Sequence, residues 1–212
     1  IGAVDENGEI IWGDMLLLIF AREILTRKPG ATFIGEVKCS QVFYDEVRKL
    51  GGNAIMYRTG HSLIKAKMKE ERAELAGEMS GHIFFQDRYF GYDDALYAAC
   101  RLMEIVARSG KPLSAQVCTL PKLVTTPEIR VDCPDEVKFE LVRRVAEVLR
   151  KSHETVDVDG VRVLFPEGWG LVRASNTQPV LVLRFEATNQ EKLAQYRKEV
   201  EDVLEAAKQA VV

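Results

Sequence analysis

Residues 77–82 read GEMSGH, with Gly77 and Gly81 placed around a carboxylate and a hydroxyl and an imidazole at the end. The apolar run Ile83, Phe84, Phe85 follows at once. Packing needs none of Glu78, Ser80 or His82, whereas a site that grips a polyhydroxylated ligand needs all of them. A second stretch, RASNTQP at 173–179, combines one arginine, two hydroxyls and two amides. A phosphate calls for a planar bidentate cation, hydroxyl donors and free backbone N–H groups. Arg173 offers the fork, Ser175 and Thr177 the hydroxyls, and a turn can supply a nest of amides. The same residues also suit a polar hairpin connection whose Asn and Ser serve only turn geometry, and composition leaves both readings open. Lys38 follows an apolar segment directly, and His61 falls in the first turn of a helical segment, where exposed amides favour an anion. Each also has a plain reading, as a solvated lysine and as a capping-region histidine.

Two further patterns are set aside. Asp157-Val158-Asp159-Gly160 opens like a calcium loop, but the acidic ligands that should follow are missing, so a hairpin is expected. Glu78 and His82 have the i, i+4 spacing of a helical metal pair, yet Gly77, Ser80 and Gly81 argue against a helix there, and no metal ligand is assigned.

The elements that must position these groups follow from periodicity. Asp14 is expected to cap an apolar helix running to about residue 25, ended by Lys28-Pro29-Gly30. Short apolar strands are expected at 32–37 and 54–57. Helices are expected at 41–50, from 59 onward with Leu63, Ile64 and Met68 inward, and at about 93–108. A strand leads into the 77–82 loop. This βα alternation implies a mainly parallel sheet, and ligands of such sheets sit beyond the carboxyl ends of the strands. The loops after Val37, after Tyr57 and before Ile83 are thereby singled out. Near Leu120-Pro121 the pattern changes to a strand at 129–132 and a helix at about 135–151, with Val137, Leu141, Val145 and Val148 on one face. Asp159-Gly160 gives a type I′ turn signal between two strands. Strands at 169–173 and 180–187 follow. Thr188-x-x-Glu191 is a capping box for a last helix whose stripe is Leu193, Tyr196, Val200, Val203 and Ala207.

Composition bounds the function classes. At 212 residues, 47% hydrophobic and 29% charged, the chain is that of an ordinary globular protein. Its net charge of −3 gives no reason to expect nucleic acid or an anionic membrane as partner. Cys39, Cys100, Cys118 and Cys133 are scattered and fit free thiols in a reducing compartment. No run is long enough to span a bilayer and no signal peptide is visible, so a cytoplasmic location is expected. The opening Ile1-Gly2-Ala3-Val4 begins as a strand without an initiator methionine, and Asn7-Gly8 turns it into Ile10-Ile11-Trp12. A fragment or processed piece of a longer protein is expected.

In this order and at these separations, TGHSLIKAKM, GEMSGHIFF and RASNTQPVLVLRFEA resemble the α-D-phosphohexomutase superfamily, and within it the bacterial phosphomannomutase/phosphoglucomutase branch. The resemblance spans the chain and implies the third and fourth of four domains. The first would be an α/β domain over 1–120 with a mainly parallel sheet, carrying the tail of the second domain at 1–13. The other would be a smaller α+β domain over 121–212, with a mostly antiparallel sheet and two helices.

The implied activity is that of an isomerase of carbohydrate metabolism, interconverting 1-phospho and 6-phospho forms of mannose or glucose through a bisphosphate. By resemblance Glu78 and Ser80 read the sugar hydroxyls, and His82 matches a catalytic acid/base. Lys38 in EVKCS and His61 line the same cleft, while Arg173, Ser175, Asn176 and Thr177 hold the phosphate that is not transferred. The implied cofactors are Mg²⁺ in the full-length enzyme and a glucose 1,6-bisphosphate-type activator. Hexose phosphates and the N-terminal domains of the same chain are the implied partners. Two parts of the family pattern are absent here: the serine motif whose phosphoserine donates the phosphoryl group, and the Asp-Gly-Asp-Gly-Asp loop that holds Mg²⁺. Alone, this chain is expected to be inactive. A non-catalytic sugar-phosphate-binding module is the alternative, and a Glu/Ser pair does not separate mannose from glucose.

Overall fold

In the computed structural model, which describes residues 1–210, the chain divides into two compact units, Ile1–Pro121 and Lys122–Val212. The first opens with a two-strand antiparallel ribbon, β1 (Ala3–Val4) and β2 (Ile10–Ile11). Helix α1 (Gly13–Arg27) is apolar on nearly all sides and buries residues 16–21, Ile24 and Leu25. A helix of this kind belongs in the middle of a layer rather than on its surface. Its N-cap is Trp12, not Asp14. The Asp14 carboxylate instead accepts from Met15 N and from Ser40 N, because that side chain is buried and reaches a neighbouring loop.

The sheet of this unit has strand order β4-β3-β5-β6, with β3 (Thr32–Glu36), β4 (Asn53–Tyr57), β5 (Leu75–Gly77) and β6 (Ile83–Phe85). Helices α2 (Gln41–Lys49), α3 (His61–Glu71) and α4 (Ala95–Ser109) complete it. β3 pairs in parallel with both β4 and β5, and β6 returns antiparallel beside β5. The registers Glu36↔Tyr57 and Gly35↔Gly77 bring the ends of three strands to one edge. The loops expected to matter emerge together there. Asp94 caps α4 by accepting from Tyr97 N. Leu63 is only half-buried, while Ile64 and Met68 are buried. A short 3-10 helix at Leu113–Gln116 was not readable from periodicity.

The second unit is a six-stranded sheet with helices α5 (Asp135–Leu149) and α6 (Gln190–Gln209). Its strands are β7 (Val124–Thr125), β8 (Ile129–Asp132), β9 (Glu154–Val156), β10 (Val161–Phe165), β11 (Gly168–Ala174) and β12 (Val180–Ala187). Every pairing among them is antiparallel. Val161, Val163, Val172, Leu181, Leu183 and Phe185 form one core with Leu141, Val145, Leu193, Tyr196 and Val200 from the two helices.

Three local expectations are corrected in this unit. Val148 is 47% exposed and Leu149 takes its inward place, because the buried row follows i, i+4 steps from Leu141 through Val145. Asn189 caps α6 by accepting from Lys192 N, and the Thr188 hydroxyl turns to Glu167 instead. The β9–β10 turn is closed by the Val156↔Arg162 pair, and at Asp159-Gly160 only Gly160 has positive φ. A type I′ turn needs positive φ at both central residues, so this connection is a longer one. The four cysteines are free, Cys39 and Cys133 buried, Cys100 and Cys118 exposed. No helix among the described residues is long and apolar enough to cross a membrane.

Candidate functional site

The GEMSGH segment is the connection between β5 and β6, closed by its own backbone. Glu78 N donates to His82 O at 2.9 Å, and Gly81 N donates to Glu78 O at 3.0 Å. The start of α1 presses on it: Gly13 N donates to Met79 O, and a Cβ on Gly13 would lie 2.5 Å from Glu78 O. Only glycine permits that approach. Glu78 is buried, with Oε1 accepting from Gly60 N at 3.1 Å and Oε2 accepting from the Ser80 hydroxyl at 3.2 Å. Gly60 is the N-cap of α3, so the carboxylate lies at the positive end of that helix. Ser80 itself is exposed. Each carboxylate oxygen has a second lone pair, so the pair can still accept from ligand hydroxyls while holding the loop.

Lys38 is buried beside Glu36, its Nζ 3.8 Å from Oε1. The plain reading of a solvated lysine fails for that reason. Glu36 is fully buried at the end of β3 and accepts from Lys38 N at 2.9 Å, Thr59 Oγ1 at 2.8 Å and Met79 N at 3.3 Å. Burial pushes its carboxyl above the ordinary range. The Lys38 charge and the hydrogen bonds from Lys38 N and Thr59 pull the other way, and nearby Glu78 adds to the upward push.

His61 at the start of α3 and His82 at the end of the β5–β6 loop meet edge to face with ring centroids 4.1 Å apart. Both aim Nδ1 at one oxygen of Asp93, at 3.6 Å for His61 and 2.7 Å for His82. A backbone bridge between Phe84 and Asp93 fixes that carboxylate in place. The carboxylate accepts, so Nδ1 of His82 donates to it, and in the neutral imidazole this leaves the lone pair on Nε2, the tautomer a general base requires. The His82 side chain is 44% exposed, accessible to a ligand.

Sequence reasoning missed Asp93 and Glu36. The signal for Asp93 was the doublet Asp93-Asp94 before a helix that needs only one capping carboxylate. The signal for Glu36 was a charge within a strand whose neighbours are apolar.

In the second unit, Arg173 on β11 donates from Nε to Asp159 Oδ2 at 2.9 Å, and both side chains are largely buried. The turn bearing Asp159 lies flat on the strand: a Cβ on Gly160 would fall 2.7 Å from Arg173 Cα. Beyond Arg173 the loop is built around Ser175, whose N donates to Val180 O and whose hydroxyl accepts from Thr177 N and Gln178 N. Asn176 and Thr177 are exposed. Buried Lys138 donates to Gln178 O at 3.0 Å and to Asp135, pinning the far end of the loop. Lys138 and Asp159 were not expected in this role, and Asp159 was read only as a turn former.

Among the described residues, His61, His82 and Asp93 form a group whose ligand atoms lie within 4.8 Å of one another. Two imidazoles and one carboxylate do not suit Mg²⁺, which takes an octahedral set of oxygen ligands. The His82–Asp93 hydrogen bond also fills the space between them. These residues do not fit a resident magnesium ion.

Sequence models of the phosphoglucomutase/phosphomannomutase family match the chain twice. The alpha/beta/alpha domain III matches residues 12–123 and the C-terminal domain matches residues 128–203. A phosphomannomutase/phosphoglucomutase of Pseudomonas aeruginosa is 45% identical over 194 residues, covering 91% of this chain and 42% of that protein. The crystal structure of a phosphoglucomutase/phosphomannomutase family protein from Burkholderia thailandensis matches with a TM-score of 0.87 at 45% identity, over 98% of this chain and 44% of that one. An Aspergillus fumigatus N-acetylphosphoglucosamine mutase, solved with GlcNAc-6P and magnesium, shares the fold at 16% identity and a TM-score of 0.69, over 97% of this chain and 46% of that one. The chain thus spans less than half the length of the relatives it matches. It belongs to the phosphoglucomutase/phosphomannomutase family.

Proposed function

We propose that this chain is the sugar- and phosphate-reading part of a phosphohexomutase that interconverts the 1-phospho and 6-phospho forms of mannose or glucose through a bisphosphate. The observation that carries the reading is the convergence at one sheet edge. Lys38, Glu78, Ser80 and His82 lie on loops that leave the ends of β3 and β5, and His61 opens α3 directly after the loop that leaves β4. Glu78 and Ser80 offer acceptors and a donor to adjacent ring hydroxyls. Lys38 supplies local positive charge in a chain whose net charge is negative.

When a hexose hydroxyl attacks a phosphoryl group, the new O–P bond forms as the donor O–P bond breaks, and the hydroxyl proton must leave. Nε2 of His82 accepts it, and Asp93 at Nδ1 favours the imidazolium that results. Arg173 and the amides and hydroxyls of the 175–178 turn would hold the phosphate that does not react. Mg²⁺ and a glucose 1,6-bisphosphate-type activator belong to the full-length enzyme in this reading. The Aspergillus complex supports magnesium and a hexosamine phosphate as ligands of the superfamily.

The test is turnover of mannose 1-phosphate and glucose 1-phosphate by the full-length protein and by the 212-residue chain. Turnover by the full-length protein alone, with hexose-phosphate binding by the shorter chain, is expected. Binding without turnover by the full-length protein would return the non-catalytic module. Turnover by the 212-residue chain alone would overturn the division of labour.

A further inference from the structure

We infer that Glu36 is a positioning residue of the sugar site: from the end of β3 its carboxylate ties the loops after three strands into one arrangement. Its role as a site residue rests on the proposed function, but its geometry does not. Oε2 accepts from Lys38 N in the loop after β3 and from Thr59 Oγ1 in the loop after β4. Oε1 accepts from Met79 N in the loop after β5. The backbone carbonyl of Glu36 accepts from the buried Tyr44 hydroxyl at 2.8 Å, which fixes the residue from the side of α2. Lys38, His61 and the Glu78–Ser80 pair are each within two residues of one of these anchor points.

Packing does not explain an acid here. Phe33, Ile34 and Val37 around it are fully buried and apolar, and a parallel strand covered on both faces is ordinarily apolar throughout. A hydrophobe would suit the surrounding packing, although it would take the carboxylate away from the buried Lys38 beside it, at a cost in stability. What a hydrophobe cannot do is accept three hydrogen bonds from three loops. A carboxylate, which only accepts, matches that set of donors. Such supporting partners orient the groups that touch the ligand, and errors of about an ångström in that orientation cost up to roughly a hundredfold.

Glu36→Met and Glu36→Gln in the full-length protein separate positioning from structure. Methionine fills the space and removes every acceptor. Glutamine keeps one acceptor but turns an amide N–H₂ toward one of the donors. Urea unfolding should show both variants folded, with Glu36→Gln closer to wild-type stability than Glu36→Met, which removes the carboxylate beside buried Lys38. Hexose-phosphate affinity should fall about ten- to a hundredfold in Glu36→Met and less in Glu36→Gln, while inorganic phosphate affinity stays unchanged. Hydrogen exchange of ligand-free peptides covering 58–61 and 78–82 should quicken in both, with exchange in α1 and β3 unaltered. Wild-type affinity in Glu36→Met, or exchange that quickens throughout the unit in Glu36→Gln, would overturn the proposal in favour of no role or a purely structural one. If the wild-type protein binds no hexose phosphate, the proposed function fails. The exchange pattern then still decides whether Glu36 orders the three loops.

Discussion

The two ligand loops are held by different balances of distant and local contacts. Residues 78–82 depend on groups remote in sequence: Met79 N on Glu36, Gly13 N on Met79 O, and Gly60 N on Glu78. Residues 175–178 are shaped locally by the Ser175 hydroxyl and the Val180 backbone, above an ion pair from Arg173 to Asp159. Distant groups enter only at the far end, with Lys138 and Arg130 on Gln178 and Cys133 N on Pro179 O. A loop that must direct several polar groups at a sugar ring needs its angles fixed from many sides. A loop that offers N–H groups and a cation to a phosphate needs only a turn and a rigid strand beneath it. Changes near the first loop should therefore act on chemistry and reach the neighbouring loops, whereas changes in the second should act on binding and stay local.

The largest effect that could break this contrast is at His82. In the full-length protein His82→Ala should lower turnover about 10²- to 10⁴-fold, the usual range for losing a general acid or base, with hexose-phosphate affinity little changed. Asp93→Asn should show a smaller part of the same loss and alter the pH dependence of kcat/KM, because the tautomer is no longer enforced. Steady-state kinetics beside calorimetry checks both. An affinity loss as large as the turnover loss would place His82 among the binding groups and blur the contrast.

Stability of the first unit gives the next effect. Asp87 is fully buried just after β6 and accepts from Arg27 at 2.7 Å and Arg101 at 2.9 Å, with Lys28 Nζ at 3.1 Å. Arg27 and Lys28 can turn to water, but the Arg101 side chain is 3% exposed and cannot. Asp87→Ala should cost about 3–5 kcal/mol, as expected when one partner of a buried pair is removed. Burial alone would raise the Asp87 pKa. Hydrogen bonds from Arg27, Lys28 and Arg101 overcome that and hold it well below the ordinary carboxylate range. With the folded pKa below the unfolded value of about 4, the contribution is present above that pH and is lost as pH falls through the folded value. The gap between wild type and Asp87→Asn in urea unfolding should accordingly narrow from pH 7 to pH 3. A gap that widened would exclude the ion cluster as its source.

Arg173→Ala comes third. Losing charge-assisted hydrogen bonds of about 1.5–3 kcal/mol each should weaken hexose phosphates and inorganic phosphate alike, by more than about tenfold. Glu78→Gln should weaken only the hexose phosphates. Arg173→Lys should not restore affinity, because a point charge cannot serve Asp159 and a phosphate in the fork geometry. Calorimetry with both ligands separates the two loops. A loss confined to hexose phosphates in Arg173→Ala would give the arginine to the sugar instead.

The contrast also explains what was legible in the sequence. The second loop could be read because its parts are contiguous: Leu181, Leu183, Phe185 and Ala187 alternate as one buried face, and RASNTQP lies directly before them. GEMSGH was legible for the same reason. Glu36 and Asp93 were not, since their partners arrive through parallel crossovers or a backbone bridge that no short window contains. The errors at helix starts have a local cause. Asp14 and Thr188 are both good capping residues, and tertiary hydrogen bonds claimed each for a neighbour instead. The capping role then passed to Trp12 and Asn189.

The smallest effect sharpens the local half of the contrast. In the free protein the Ser175 hydroxyl accepts from Thr177 N at 3.3 Å and from Gln178 N at 3.2 Å. A hydroxyl with both acceptor positions engaged still has its proton to donate, so shaping the turn and binding phosphate do not compete. Ser175→Ala leaves two N–H groups in an exposed turn where water can reach them, so its cost to stability should stay near about 0.5–1.5 kcal/mol. Phosphate affinity should fall by less than about tenfold, and hydrogen exchange should quicken only within 175–180. Ser175→Thr, which keeps the hydroxyl, should restore both. If Ser175→Ala instead loosened β11 and β12, or lost as much affinity as Arg173→Ala, the second loop would be as dependent on distant anchors as the first.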